Sequence, residues 1–436
     1  MRVKSIVAAS SAVALSLVML AACSTNDTTP TGTTTTNSSS AGTGSSAPAD
    51  ISGTLTILYM STRQAALDPV VQQFKQEYPN VDVKVDYEGG DFATTLATQL
   101  QAGTQGDLFQ IWPAGREGTN GMNIVPVAAQ GYLADISSQS WTSEIPEAWK
   151  SQIQWQGRTY GFLQALSSLG AIYNQTALQS AGLTVPTTWD DTLKFCSDAK
   201  AKGLIAYAQG LNDGAQMVFF ALSSTTVYGP NPDFDQQMID GTAKLTDPGW
   251  IEAFTKAKQM NDAGCFGDGV VSRTRAQGSE LVSSGKALGI FDGSSILSDL
   301  QKAAPNSSFQ VNLVPVSDSA STNYIVALPS TSIAESAKAK NPAAANAFLE
   351  VLNQHRGDIA GAYGGVPVLP TPDFKAPASL SVFTDAVNAG KATPLPSAIS
   401  GELQDLIGQN LQAVVLGSMT PEDALSAAQT LFEQSN

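Results

Sequence analysis

The sequence predicts an α/β fold divided between two lobes. Three observations lead there. Strand and helix patterns alternate from Gly53 onward, in the order β-α-β-α-β. The stretch from Gly53 to Asn436 is too long for one ordinary core. Composition is globular, with 42% hydrophobic and only 14% charged residues.

Ahead of that fold lies a segment that speaks of location. Arg2 and Lys4 form a cationic start, and an apolar run reaches from Ile6 to Leu20. Small residues then lead into Cys23, as Leu20-Ala21-Ala22-Cys23. A charged start, a short apolar run and a small-residue site make a secretory signal. The run falls short of the ~20 residues needed to span a bilayer. The cysteine at the first position after the site resembles a bacterial lipobox, in which the thiol is acylated and residues 1–22 are removed. The competing readings are a plain signal peptide with an incidental cysteine, or a signal anchor. From Ser24 to about Asp50 the chain is almost wholly Ser, Thr, Gly, Ala, Asn and Pro, which cannot bury an apolar face. Residues 23–52 are therefore expected to be a lipidated cysteine and a flexible tether, reaching roughly 30 Å from the extracytoplasmic face of the membrane.

Each later element has a local reason. Thr54–Met60 is an apolar strand, and Leu67, Val70, Val71, Phe74 and Tyr78 recur at helical spacing before Pro79. Val81, Val83 and Val85 alternate with polar residues, predicting a strand through Tyr87. Asp91 is placed to cap a helix through Phe92, Leu96 and Leu100, with Gly103 at its end. Leu108–Trp112 is a third strand. Further on, Thr188-Trp189-Asp190-Asp191, Thr246-Asp247-Pro248 and Thr420-Pro421 open helices. Alternation predicts a parallel sheet, with ligands at the carboxyl ends of its strands. That puts Tyr59, Arg63, Glu88, Asp91, Trp112 and Arg116 on one rim.

Charge and cysteines narrow the function. The formal charge is −15, and loss of Arg2 and Lys4 leaves 21 basic against 38 acidic residues. Such a surface argues against nucleic acid and against anionic headgroups as partners, so any membrane contact runs through the lipid anchor. With Cys23 acylated, Cys196 and Cys265 remain in an oxidising compartment, and one disulfide between them is expected. Two buried free thiols are the alternative. His355 is the only histidine, which excludes an HExxH site, and no G-x-S-x-G elbow occurs. Neither a metal nor a cofactor is called for. Carboxylate-only glycoside hydrolysis needs just two acids and stays open as a minor reading.

Several segments, in order, resemble the carbohydrate-specific extracellular solute-binding proteins of ABC importers. They are Gly106–Trp112, Gly131–Ile136, Gly157–Phe162 with Ile172-Tyr173-Asn174, Pro186–Asp191, Gly285–Ser294 and Gly364–Pro367. The resemblance implies a two-lobed periplasmic-binding-protein fold with a three-segment hinge and an interlobe cleft. It implies lobe one at 53–165 and 316–364, and lobe two at 166–315 and 365–436. Crossings are expected near Ala165–Ser168, Val314–Val316 and Gly364–Pro367. The implied function is non-catalytic: a monomer captures a mono- or short oligosaccharide and delivers it to the transmembrane subunits of a permease. A peptide or amino-acid binding protein of an importer is the alternative, and a structural lipoprotein a third.

Sugars present hydroxyls and a weakly apolar face, so their sites combine planar polar groups with an exposed aromatic. Trp112 is the leading aromatic candidate, since it ends a strand and precedes Pro113-Ala114-Gly115. By position in the family pattern, Arg116 matches a cleft arginine, and Asn212 and Asp213 match a sugar-binding region. Asp292 and Ser294 lie on the Gly-Ser turn, Gln164 precedes the first crossing, and Tyr363 precedes the last. Trp189 and Trp250, at helix starts, are expected to be structural. There are departures: one extra residue lies between Asp107 and Trp112, Ser295 stands where the family has tryptophan, and Leu403-Gln404 replaces a late aromatic. Fewer stacking platforms favour a short sugar or polyol over a long glucan.

Overall fold

The structure, a computed structural model, describes residues 51–114, 121–369, 371–399 and 401–435. The segment expected to be a signal, Cys23, the expected tether and Arg116 lie outside the described residues. In chain order the strands are β1 (Gly53–Met60), β2 (Val81–Glu88), β3 (Leu108–Ile111), β4 (Gln154–Trp155), β5 (Arg158–Thr159), β6 (Phe162–Leu163) and β7 (Leu166–Asn174). They continue with β8 (Ile205–Tyr207), β9 (Ala287–Gly293), β10 (Phe309–Asn312), β11 (Ile325–Pro329), β12 (Ser332–Glu335) and β13 (Ala392–Pro394). The first sheet runs β2-β1-β3-β12-β6, and the second runs β13-β11-β7-β9-β8 with β10 also on β7. Strands β4 and β5 form a separate hairpin.

The expected parallel sheet is realised only in part. Strands β2, β1 and β3 are parallel, but β12 lies antiparallel between β3 and β6, and β7 is antiparallel to β9, β10 and β11. The reason is that β12 and β7 follow crossings between sheets rather than helical returns within one sheet, so right-handed parallel connection does not constrain them.

Local signals act as anticipated in the first sheet. The helix Gln64–Glu77 buries Leu67, Val70, Val71 and Phe74, and Phe74 meets Phe348 at 5.1 Å between ring centroids. Asp91 caps the helix Phe92–Ala102 by accepting from the Thr94 backbone N–H at 3.2 Å, and Gly103 ends it in the left-handed region. In the second sheet, side chains alternate between faces. Leu169, Ala171 and Tyr173 pack with Phe195, Tyr207 and Phe291, while Ile172, Ile290 and Val311 belong to the opposite core. Thr188 and Asp191 form a reciprocal capping box on the helix Trp189–Ala201. Cys196 in that helix is joined to Cys265, beyond the helix Pro248–Asp262, by a disulfide. Trp189 and Trp250 are buried.

The chain passes between the sheets at Gln164–Ala165, at Ser330–Thr331, and again after the helix Arg356–Ala362, where Val366 bridges to Leu166. The second of these corrects the expectation of Val314–Val316. Strand β11 is buried between β7 and β13 in the second sheet, so residues 316–329 belong there and not with lobe one. An apolar strand looks the same from either side of a boundary; only its partners reveal its sheet.

At the end of the first sheet where β12 leaves and β3 enters lies a buried acidic pair. Asp107 accepts from the Thr56 backbone N–H at 2.8 Å, from Thr56 Oγ1 at 2.6 Å, and from the Asn341 backbone N–H at 3.0 Å. Burial opposes its ionisation, but these hydrogen bonds outweigh it and hold the carboxyl below the usual range. Glu335 on β12 has no such help: its Oε2 is buried without a partner among the described residues.

Candidate functional site

Pairing registers align the carboxyl ends of the strands with the crossings. In the first sheet Tyr59 lies opposite Tyr87, Leu58 opposite Phe109, and Ser332 opposite both Ile111 and Leu163. In the second, Leu166 pairs with Pro329, and Leu169 with Gly293. Both sheets therefore present the outgoing ends of their parallel strands beside the three connecting segments.

The segments are tied to one another through their backbones. Gln164 N–H donates to Thr331 O at 3.1 Å, Ser330 N–H to Ala165 O at 2.9 Å, and Leu166 and Val366 exchange bonds of 2.8 and 2.9 Å. Gly365 is required there, since a Cβ on it would stand 2.4 Å from Leu166 O. Over this backbone sits a polar side-chain hub. Tyr59 OH and Tyr363 OH are 2.9 Å apart, and the Gln164 amide donates to Tyr59 OH. Gln110 Nε2 donates to Thr331 Oγ1 at 2.7 Å and to Tyr363 OH at 3.0 Å, while its Oε1 accepts from Met60 N–H at 3.0 Å. Thr331 Oγ1 donates to Gln164 Oε1 at 2.8 Å. Burial, followed by the neighbouring Tyr363, keeps the Tyr59 phenol protonated well above its ordinary pKa, and burial raises Tyr363 as well. Arg63 is exposed and holds its guanidinium over the Tyr363 ring, 4.7 Å from the centroid.

These contacts sort the sequence candidates. Tyr59 and Gln164 are buried at 0% and 1% exposure, and their polar atoms are turned to the hub rather than to solvent. Half-buried Tyr363 joins the same hub with its hydroxyl. Trp112 is half-buried, edge-on to Phe92 with centroids 5.7 Å apart, and Glu88 is half-buried at the end of β2. Asp91 is exposed but acts as the helix cap.

A second group gathers at the ends of β8 and β9. Asp292, 1% exposed, accepts from Arg275 Nε at 3.1 Å with one oxygen and from Arg275 Nη2 with the other. The Arg275 backbone N–H donates to Asp213 Oδ1 at 2.7 Å, so one residue links two candidates 79 positions apart in Asp213 and Asp292. The hydrogen bonds it donates to Asp292 hold the guanidinium above its ordinary pKa against the opposing effect of burial. Ser294 Oγ accepts from the Ser168 N–H at 3.1 Å and so fastens this turn to the first crossing. Asn212 and Asp213 are exposed and line a cleft of about 200 Å³ with Gln404 and Gln412. Arg275 and Asp292 line another, of about 430 Å³, floored by Ala276, Ile296 and Leu300.

Arg275, Gln110 and Thr331 escaped the sequence reading. A polar Gln110 between Phe109 and Ile111 in a buried strand was a usable signal. Arg275 offered none, because it is the first residue of a helix with an ordinary Thr274–Gln277 capping box.

A family model described as bacterial extracellular solute-binding protein matches residues 70–379, most of the chain. The chain belongs to the bacterial extracellular solute-binding protein family. Membership carries an extracytoplasmic location, and among the described residues no helix is long and apolar enough to cross a membrane. This solute-binding protein is 24% identical over 173 residues to the multiple sugar-binding protein of Streptococcus mutans, covering 39% of this chain and 40% of that one. It is 22% identical over 272 residues to the melibiose/raffinose/stachyose-binding protein MelE of Bacillus subtilis, covering 60% and 61%. The matches thus span less than two thirds of either relative. Among solved structures, a family 1 extracellular solute-binding protein from Bifidobacterium longum subsp. infantis superimposes with a TM-score of 0.72 at 21% identity, over 88% of this chain and 100% of that one. The two-lobed fold is shared.

Proposed function

We propose that this solute-binding protein captures a carbohydrate between its two sheets and delivers it to the transmembrane subunits of an ABC importer, held at the outer membrane face by acylated Cys23. The observation that carries the reading is the alignment of both sheets' strand ends with three hydrogen-bonded connections, in a chain of this family. A cleft that closes about such connections can release ligand by differing affinity of its open and closed states. The names of the Streptococcus and Bacillus relatives support sugar as the ligand class.

In this reading Trp112 offers the stacking face, and Glu88, Arg63, Asn212 and Asp213 line the two walls. Asp91, Tyr59, Gln164, Tyr363 and Ser294 act from behind, as cap and braces, and Asp292 acts through its arginine. Turnover is not part of this function.

A thermal-shift screen against mono- and oligosaccharides, amino acids and peptides tests it. Ligand at a hundredfold excess over Kd stabilises by about 2.7 kcal/mol. A shift with sugars supports the reading, and a shift with amino acids or peptides alone overturns it. Trp112→Ala should fold normally and lose the sugar-induced shift; an intact shift would remove Trp112 from the wall.

A further inference from the structure

We propose that Arg275 is the principal hydrogen-bond donor of the second wall, and that its pairing with Asp292 restricts the ligand to neutral carbohydrates. The inference rests on the carbohydrate reading above and names the ligand class within it.

A guanidinium carries five N–H groups. Arg275 uses Nε and one N–H of Nη2 on Asp292, and among the described residues the other three meet no acceptor. Its side chain is 35% exposed and lines the cavity of about 430 Å³ beside Ile296 and Leu300, next to Asp213 at the exit of β8. These donors are also held in place. The backbone of Arg275 is fixed to Asp213, and the alkyl stem fills the space beside Gly214, where a Cβ would stand 2.4 Å from Arg275 Cγ. A fixed, planar, multiply donating group suits the adjacent hydroxyl oxygens of a sugar ring.

Asp292 decides the charge of that group. Its carboxylate is 1% exposed, also accepts from the Gly293 N–H at 2.6 Å, and cancels the arginine's charge in place. A carboxylate-bearing solute would have to share the guanidinium with this buried anion or displace it, which strands a charge out of water. Asp213 adds a negative charge on one side, and Glu280 and Asp299 line the adjoining cleft on the other. The wall therefore donates hydrogen bonds without offering net positive charge. Uronic acids and α-carboxylates gain nothing there that a neutral hydroxyl does not.

Isothermal titration with raffinose, galactose and glucose, against galacturonate and glucuronate, tests this on the intact protein, Asp292→Asn and Arg275→Gln. The wild type should prefer the neutral member of each pair by at least tenfold. Asp292→Asn frees the charge of Arg275 and should narrow that ratio by tenfold or more, chiefly through tighter uronate binding. Arg275→Gln should weaken neutral binding about tenfold with no gain for uronates, and it carries the test if Asp292→Asn fails to fold. Neutral binding with an unchanged ratio in Asp292→Asn, or undiminished neutral affinity in Arg275→Gln, overturns this inference alone. Preference of the wild type for uronates overturns it and leaves a carbohydrate site. Binding of amino acids or peptides with none of these sugars overturns the underlying reading instead.

Discussion

Glu335 should make the fold less stable as pH rises, and Glu335→Gln should remove that dependence. The residue is 3% exposed on β12, its Oε2 has no partner among the described residues, and Asp107 stands nearby as a second acid. Burial first, and then the charge of Asp107, push its pKa from 4.5 up to about 7. Asp107 keeps its own charge because four donors from Thr56, Lys340 and Asn341 surround it. A carboxyl whose pKa is raised by folding favours the folded state below its unfolded pKa, and the advantage is lost as pH climbs through the folded value. At about 1.36 kcal/mol per tenfold change in proton affinity, the loss amounts to about 3 kcal/mol between pH 4.5 and pH 8. Urea denaturation of the wild type and Glu335→Gln at several pH values measures it. The variant should gain on the wild type by up to about 3 kcal/mol over that interval, with the steepest change between pH 5 and 7. Any cost of seating the amide is the same at every pH and drops out of the difference. A variant-minus-wild-type difference that stays flat from pH 4.5 to 8 would refute the reasoning.

Other perturbations have defined outcomes. Reduction, or Cys265→Ser, opens a cross-link between residues separated by 69 positions and should cost ~4 kcal/mol on the loop-entropy model, read as a lower urea midpoint. Tyr363→Phe removes the hydroxyl shared by Tyr59, Gln110, Gln164 and Thr331, and should destabilise the protein by about 1–3 kcal/mol. A change within a few tenths of a kcal/mol would show that the hub is dispensable.

Much of the architecture was legible because its signals are local. The Asp91 and Thr188 caps, the helical face of Leu67 to Phe74 and the terminal Gly103 each depend on residues within a few positions of one another. Tyr59 shows where that legibility ends. A tyrosine at the exit of a parallel strand reads equally well as a ligand contact or a buried brace. What decides between them is Gln164 and Tyr363, more than a hundred residues away. The misplaced second crossing has the same origin, for strand β11 is assigned to a sheet by β7 and β13 and by nothing within itself.

Sequence alone thus carried the expectation of a secretory signal ending at a cysteine, the alternation of elements, the caps, the expectation of one disulfide and the choice of family. These are written in contiguous residues or in composition. Tertiary structure decided which candidates became walls and which became braces, where the chain changes sheets, and that a helix-starting Arg275 would meet Asp292. Sheet registers bring those groups together across long separations, and a hydrogen bond or a buried charge exists only once both partners share the same few ångströms.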